Sequence, residues 1–130
     1  MSIKYRLAPD IREVAEDIVD KLDWDHIRME HVGFVRGIDA GSEGTIARCH
    51  SLGKAMKVGM GRKKSFYTIE VIAKEFDYLT SKGKIKTIIH ELMHIPKSFG
   101  GGFINHNKIN SYSVNQAYQR YRNLMEKEEG

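Results

Sequence analysis

Several residue types and segments are scarce in this 130-residue chain, and each scarcity excludes a class of protein. The single cysteine, Cys49, rules out an internal disulfide and fits a reducing compartment. No apolar run approaches the ~18 residues that a membrane-spanning helix needs. The charged start of the chain, from Met1 to Arg6, does not resemble a secretory signal. We therefore expect a cytoplasmic protein that is neither secreted nor embedded in a membrane.

The overall composition is that of a globular protein with a weak positive charge. Hydrophobic residues make up 41% and charged residues 29% of the chain, close to the usual averages. A chain of this length can bury a core unaided, and no linker or internal repeat divides it. The sequence therefore predicts one domain over residues 1–130. The formal charge of +4 is too small to argue by itself for a nucleic-acid partner.

Three segments have apolar residues at helical spacing. The first begins at Pro9, a residue suited to the first helical position, and continues to Leu22. The second begins at Ser81 and must end before Pro96, because the residue preceding a proline is disfavoured in helical geometry. The third covers 109–125, and we expect the charged residues after it to fray.

The remaining segments predict a small sheet. Residues 27–38 alternate as one or two strands, and 45–50 would return as a hairpin partner after the turn-forming segment 39–44. Residues 65–72, rich in aromatic and β-branched side chains, form the clearest strand. The basic segment 53–64 is predicted to be loop that can include one helical turn. The element order favours an α+β domain with its sheet packed against helices.

The most informative segment is an HExxH motif, His90 to His94, inside the second predicted helix. Residues four apart share a helix face, so His90 and His94 can bind one tetrahedral metal ion. Glu91, beside these ligands, can reach a metal-bound water and act as a general base. The alternative is an ordinary helix with two exposed or hydrogen-bonded histidines.

A hydrolytic zinc site usually has three protein ligands, and His106 is the preferred third. It follows His94 after eleven residues. Pro96 stops the helix, and the glycines 100–102 let the chain turn back toward it. An ordinary histidine on a surface loop is the alternative.

Cys49 and His50 are competing candidates for the third ligand. Adjacent residues on a strand point to opposite faces, so at most one of them can face the metal. Cys49 is more often a small buried side chain than a ligand. His26 and His31 have no ligand spacing and are expected to be structural or exposed.

The segment from Ile88 to His106 resembles a metallopeptidase family of archaea and phages, whose pattern is approximately HELxHIPxxFxGG followed by a third histidine. Upstream, 47–50 and 67–72 resemble the sheet region of that family, so the resemblance covers roughly residues 30–106. It implies a zincin-like fold, in which a small mixed sheet packs against the HExxH helix and flanking helices. The metzincin pattern does not apply, because Lys97 and Gly100 stand where it has glycine and histidine.

The resemblance also assigns roles to residues. It implies that His90, His94 and His106 are zinc ligands and that Glu91 is the catalytic glutamate. Together with the motif chemistry, it predicts a zinc-dependent metallopeptidase with one Zn²⁺ per chain and a peptide or protein substrate. The strand over 65–72 is the nominated edge strand for that substrate. The tyrosines that could stabilise an oxyanion are Tyr67, Tyr112 and Tyr118.

Two other functions remain open from the sequence. One is a zinc-dependent RNA-processing endonuclease, although comparable nucleases lack a glutamate at the position of Glu91. The other is a non-catalytic, metal-stabilised module that binds nucleic acid or protein. The basic loop 54–64 and the lysines of 82–86 allow contact with phosphate backbones, but no nucleic-acid-binding signature accompanies them. No membrane partner is expected, and the oligomeric state is left open.

Overall fold

The computed structural model describes residues 4–38, 44–106 and 108–129. Within them, the strands are β1 (Lys4–Leu7), β2 (Val32–Ile38), β3 (Ala47–Ser51) and β4 (Tyr67–Ile72). The α-helices are α1 (Pro9–Lys21), α2 (Lys54–Gly59), α3 (Ala73–Phe76), α4 (Ser81–Met93) and α5 (Ser111–Glu129).

The four strands form one mixed sheet in the order β1-β2-β4-β3. β1 runs antiparallel to β2, β2 parallel to β4, and β4 antiparallel to β3. The chain reaches the parallel strand β4 through β3 and α2, as a parallel pair requires a crossover connection. The predicted α+β class with a small mixed sheet is confirmed.

Two predictions about the sheet are wrong. β3 pairs with β4 and not with β2, so the predicted hairpin does not form; residues 39–43 of its turn lie outside the described residues. The nominated edge strand, β4, is instead an interior strand between β2 and β3. Five of its six residues are buried, and a nearly continuous buried run is typical of a strand covered on both faces. The exposed edge near α4 is therefore β3.

Two local predictions also need correction. Residues 27–31 contain a 3-10 turn at Met29–His31 rather than a strand, and β2 begins at the next residue. In the basic segment 53–64, the helical turn that the prediction allowed is present as the six-residue helix α2. The last helix continues to Glu129 rather than fraying after Met125. β1 was not predicted, because its alternation of Lys4, Tyr5, Arg6 and Leu7 is only four residues long, and all four are exposed.

The main core lies between the sheet and the helices α1, α4 and α5. β2 and β4 contribute Phe34, Ile69 and Val71, which are at most 3% exposed. The helices contribute their apolar faces: Ile11, Ala15 and Ile18 from α1, Ile88, Ile89 and Leu92 from α4, and Val114, Tyr118 and Tyr121 from α5. Burying each large side chain contributes about 1.5–3 kcal/mol.

The helix α4 has well-defined ends. Its N-cap, Thr80, accepts a hydrogen bond at Oγ from the N–H of Gly83 at 3.1 Å, satisfying one of the free donors of the first turn. The last helical residue is Met93, with His94 at the C-cap and Pro96 two residues beyond. The HExxH motif therefore lies at the C-terminal end of α4. Among the helices of the described residues, none is long and apolar enough to cross a membrane.

Candidate metal centre

The end of α4 brings His90 and His94 together. His90 lies in the last turn and His94 at the C-cap, so their side chains share one face of the helix. The two Nε2 atoms are 3.3 Å apart. His94 is buried, whereas the side chain of His90 is 30% exposed and faces a groove.

A reversal of the chain after α4 brings in His106. Phe99, Gly101 and Gly102 have positive φ angles of 50°, 95° and 76°, which turn the backbone back toward the helix. The N–H of Ile104 then donates to the carbonyl oxygen of His94 at 2.9 Å. As a result, the ligand atoms of His90, His94 and His106 all lie within 4.8 Å of one another.

Tyr67 holds this reversal against the sheet. Its hydroxyl donates to the carbonyl oxygen of Gly102 at 3.1 Å and accepts from the N–H of Gly101 at 3.0 Å. Burial raises the pKa of the Tyr67 phenol, so the hydroxyl keeps its proton for this bond. From the sequence, Tyr67 was a candidate oxyanion donor only, and this anchoring role was not predicted. The available signal was a tyrosine in a buried strand, whose hydroxyl needs a partner.

The orientation of His94 is fixed by the same loop. Its Nδ1 lies 2.6 Å from the carbonyl oxygen of Ile104, and because a carbonyl can only accept, Nδ1 carries the proton and donates it. Nε2 is then the nitrogen available for a metal, an arrangement common among metal-binding histidines. Burial is the main cause that lowers the pKa of both His90 and His94, which favours the neutral form that binds metal.

The three histidines fit a tetrahedral metal ion. Two nitrogens that each lie about 2.0–2.1 Å from zinc at a tetrahedral angle are ~3.4 Å apart. The Nε2 atoms of His90 and His94 have a separation of 3.3 Å, close to that value. The ring centroid of His106 lies 5.4 Å from that of His90 and 4.6 Å from that of His94. These three side chains can therefore hold one metal ion.

Glu91 lies beside the histidine cluster. It is 7% exposed, and its Oε2 is 4.0 Å from Nε2 of His90. Burial raises the pKa of Glu91 to about 7, because the charged carboxylate is poorly solvated there. A carboxyl group with that pKa can both take and return a proton near neutral pH.

The two alternative ligands lie on opposite faces of β3, as their adjacency predicts. Cys49 lines the groove at the histidines, but burial and the charge of Glu91 raise the pKa of its thiol to about 12. His50 lies on the other face, where its Nε2 is 2.8 Å from Oε1 of Glu70. Neither residue belongs to the cluster of three histidines.

The other sequence candidates have separate environments. The hydroxyl of Tyr112 accepts a hydrogen bond from Gln116 at 2.8 Å on an exposed face of α5. The ring of Tyr118 is buried beneath the ammonium groups of Lys82 and Lys86. His26 lines an apolar cleft that contains none of the three clustered histidines. These positions do not identify an oxyanion donor.

Two grooves meet at His90 and Glu91. One has a volume of about 380 Å³ and is lined by Cys49, His94, Phe103 and His106 among others. The second, of about 650 Å³, extends between β3 and the helices α4 and α5 and includes Lys86, Thr87 and Ser111. His90, Glu91 and Ala47 line both. Together they give the histidine cluster open space on two sides.

The edge strand β3 presents hydrogen-bonding groups beside these grooves. The N–H of Ile72 donates to Ile46 and the N–H of Leu52 to Phe66, so the even-numbered residues of this segment pair with β4. In an antiparallel pair the intervening residues direct their backbone groups the other way. The N–H and C=O groups of Ala47, Cys49 and Ser51 therefore point away from β4.

A histidine cluster with an adjacent buried carboxyl group, open to two grooves, is the kind of site found in metal-dependent hydrolases. The profile of a protein family described as "Putative phage metallopeptidase" matches residues 3–128, and the chain belongs to this family. Membership confirms the resemblance to phage metallopeptidases and implies a hydrolase acting on peptides or proteins; the archaeal relationship and the extended motif stay predictions. No curated protein and no solved structure matches the chain significantly.

Proposed function

We propose that residues 1–130 form one zincin-like domain that hydrolyses peptide bonds with one bound zinc ion. His90, His94 and His106 would hold the metal, and Glu91 would be the general base. The observation that carries the proposal is the cluster of three histidines within 4.8 Å beside a buried carboxyl group. Membership of a metallopeptidase family supports it.

A zinc ion held by three neutral histidines would supply Lewis-acid polarisation of the scissile carbonyl and acidify water at the site. The chain's own contribution to proton transfer is Glu91. With a pKa of about 7, its carboxylate accepts a proton from water and, as the acid, returns one to the leaving amine. Burial keeps Glu91 from being solvated as an ordinary surface carboxylate, which makes this exchange possible at neutral pH.

The edge of β3 supports an extended peptide as substrate. A segment added alongside β3 would bond to the outward backbone groups of Ala47 and Cys49. Its side chains would enter the grooves on either side of His90 and Glu91. This proposal replaces the nominated edge strand, because β4 is interior and its backbone groups are already paired.

The non-catalytic alternative requires a metal closed on all sides by protein. Cys49 is the cysteine of the groove, yet it is not part of the cluster of three histidines. The described cluster offers three ligands and leaves room for water and substrate. These observations favour the hydrolase over a structural metal site.

The test combines elemental analysis with a peptide-library cleavage assay on the wild-type chain and Glu91→Gln. We expect about one zinc per chain in both proteins. Loss of the base should lower cleavage by about 10²–10⁴-fold. The matched control is Glu13→Gln, the same chemical change at an exposed position of α1, which should cleave like wild type. A wild-type chain that takes up no zinc, or a Glu91→Gln variant that cleaves normally, contradicts the proposal.

A further inference from the structure

A second, strongly basic pocket lies away from the histidine cluster. It has a volume of about 240 Å³ and lies where the 3-10 turn, the segment from α2 to β4 and the loop after α4 meet. Its basic side chains are Arg28, His31, Lys57, Lys63 and Lys64. Two serines, Ser65 and Ser98, add hydroxyl groups, and the described lining includes no acidic residue. We call this the basic pocket.

The floor of the basic pocket is ordered by specific contacts. The ammonium group of Lys57 donates to Oγ of Ser65 at 3.0 Å, and Ser65 is 5% exposed. The ring of His31 packs against Phe66 with centroids 4.7 Å apart. The Nδ1 atom of His31 is buried and has no hydrogen-bond partner among the described residues.

The charge distribution points to an anionic ligand. Four permanently cationic side chains share a small concave space, and no carboxylate lines it to offset their mutual repulsion. Ammonium groups, a guanidinium group and hydroxyl groups are the donors that bind phosphate oxygens. A single phosphate group fits a pocket of this size.

We propose that the basic pocket binds a phosphate group of a polynucleotide backbone. Three of its lining residues, Lys57, Lys63 and Lys64, belong to a longer basic segment, 54–64, which contains no acidic residue. Lys54 and Arg62 of this segment are exposed outside the pocket lining. A free phosphate ion would use the pocket alone, whereas a chain of phosphates also meets these two side chains. Such contacts fix position on a nucleic acid without reading its sequence.

The apolar side chains nearby do not favour a membrane surface instead. Met56 and Val58 are 55% and 73% exposed on α2. Residues two apart on a helix point about 200° away from each other. Val58 therefore lies on a different face from Met56. Met60, at the C-cap and 55% exposed, is four residues from Met56, so at most two methionines share a face, which is a small apolar area for insertion into lipid.

The basic pocket can be tested independently of the peptidase proposal, because none of its residues belongs to the histidine cluster and Glu91 does not line it. The probe is a fluorescein-labelled 20-nucleotide DNA, single-stranded and as a duplex, followed by anisotropy over a range of salt concentrations. The test variant is Lys63→Glu/Lys64→Glu, both at exposed positions. The matched control, Lys74→Glu/Lys127→Glu, makes the same charge change at exposed positions of α3 and α5.

We expect DNA binding that weakens with salt and a loss of at least about 10-fold in Lys63→Glu/Lys64→Glu, with a much smaller loss in the control. The slope of log affinity against log salt should become shallower by about 1, because the two lysines line a pocket for one phosphate group. Thermal unfolding and zinc content should be unchanged in both variants.

Several outcomes would overturn the proposal. Equal losses in the two double variants would mean that only overall charge matters. Wild-type chain that fails to bind DNA while inorganic phosphate shifts its thermal unfolding would assign the pocket to a free anion. Binding to phosphatidylserine vesicles without binding to DNA would assign it to a lipid surface.

Discussion

The histidines of the candidate metal centre come from two regions that are built differently. His90 and His94 lie on the end of α4, whose apolar spacing, N-cap and following proline are all local sequence features. His106 lies in a loop without helix or strand, where it is exposed. Its position depends on the hydroxyl of Tyr67 and on the backbone of Ile104.

This difference indicates how strongly substitutions in each region should affect metal affinity. A helix holds two ligands at a fixed spacing through hydrogen bonds within the helix itself. The loop instead holds its ligand through a few contacts between residues far apart in sequence, such as Tyr67 and Gly102. Changes at the loop contacts should therefore lower metal affinity less than the loss of a histidine on α4 does.

The largest effect is expected for His94→Ala. His94 offers a ligand nitrogen and also donates to Ile104, so its removal disturbs both regions. Changing an outer-shell partner alone costs about 10–100-fold in metal affinity, so losing His94 should cost more than about 100-fold. Competition with a chromophoric zinc chelator measures this. Retained affinity within 10-fold of wild type would remove His94 from the proposed ligand set.

His106→Ala should have the next largest effect. It removes one proposed ligand but leaves α4 and the hydrogen bond between Ile104 and His94 in place. We expect a loss of at least about 100-fold in zinc affinity, because losing a proposed ligand should cost no less than the largest changes seen outside the ligand shell. Circular dichroism should remain that of wild type. If zinc binds His106→Ala normally, Cys49 becomes the next residue to replace.

Tyr67→Phe tests the loop without touching a ligand. The change removes two hydrogen bonds and leaves groups of Gly101 and Gly102 without their partner. We expect a loss of about 1–3 kcal/mol in stability. Zinc affinity should fall by about 10-fold, at the lower end for changes outside the ligand shell.

A control for Tyr67→Phe is Tyr78→Phe, which removes a hydroxyl from a side chain that is 88% exposed. Urea unfolding and chelator competition measure stability and zinc affinity in both variants. Unchanged zinc affinity in Tyr67→Phe would mean that the loop reaches its position without this anchor, and the contrast between the two regions would weaken.

The local region was predictable from sequence for physical reasons. The apolar periodicity of α4, together with Pro96 after it, predicted the helix. The spacing of four residues between His90 and His94 predicted that the two side chains share one face. The fold class and the placement of 65–72 in a strand followed from equally local patterns. The chain reversal before His106 was predicted from three glycines, and two of them, Gly101 and Gly102, have positive φ angles.

The long-range features were not predictable in the same way. Strand order depends on which strand is covered on both faces, and the pairing of β3 with β4 is set by the whole core rather than by either segment. The role of Tyr67 depends on a contact 35 residues away. The basic pocket gathers residues from three separate segments, so only its part in 54–64 was visible in the sequence.

The smallest effect is expected for Asp10→Asn, which lies away from both regions of the metal centre. Asp10 accepts two hydrogen bonds from the guanidinium group of Arg36, at 2.6 and 2.7 Å, and these lower its pKa below the ordinary value of 3.8. A lowered pKa in the folded state means that the interaction stabilises the protein above pH 3.8 and is lost as the pH falls through the folded-state pKa. The side chain of Asp10 is 60% exposed, so solvent screening limits the contribution to below about 1 kcal/mol.

Urea unfolding at pH 7 should therefore show Asp10→Asn slightly less stable than wild type, and the difference should narrow as the pH falls below about 4. Zinc affinity at pH 7 should equal that of wild type, because Asp10 contacts neither α4 nor the loop that carries His106 in any described hydrogen bond or ion pair. A metal-affinity loss as large as that of Tyr67→Phe would mean that zinc binding follows global stability. The weaker binding of Tyr67→Phe would then no longer indicate a specific dependence of His106 on its loop.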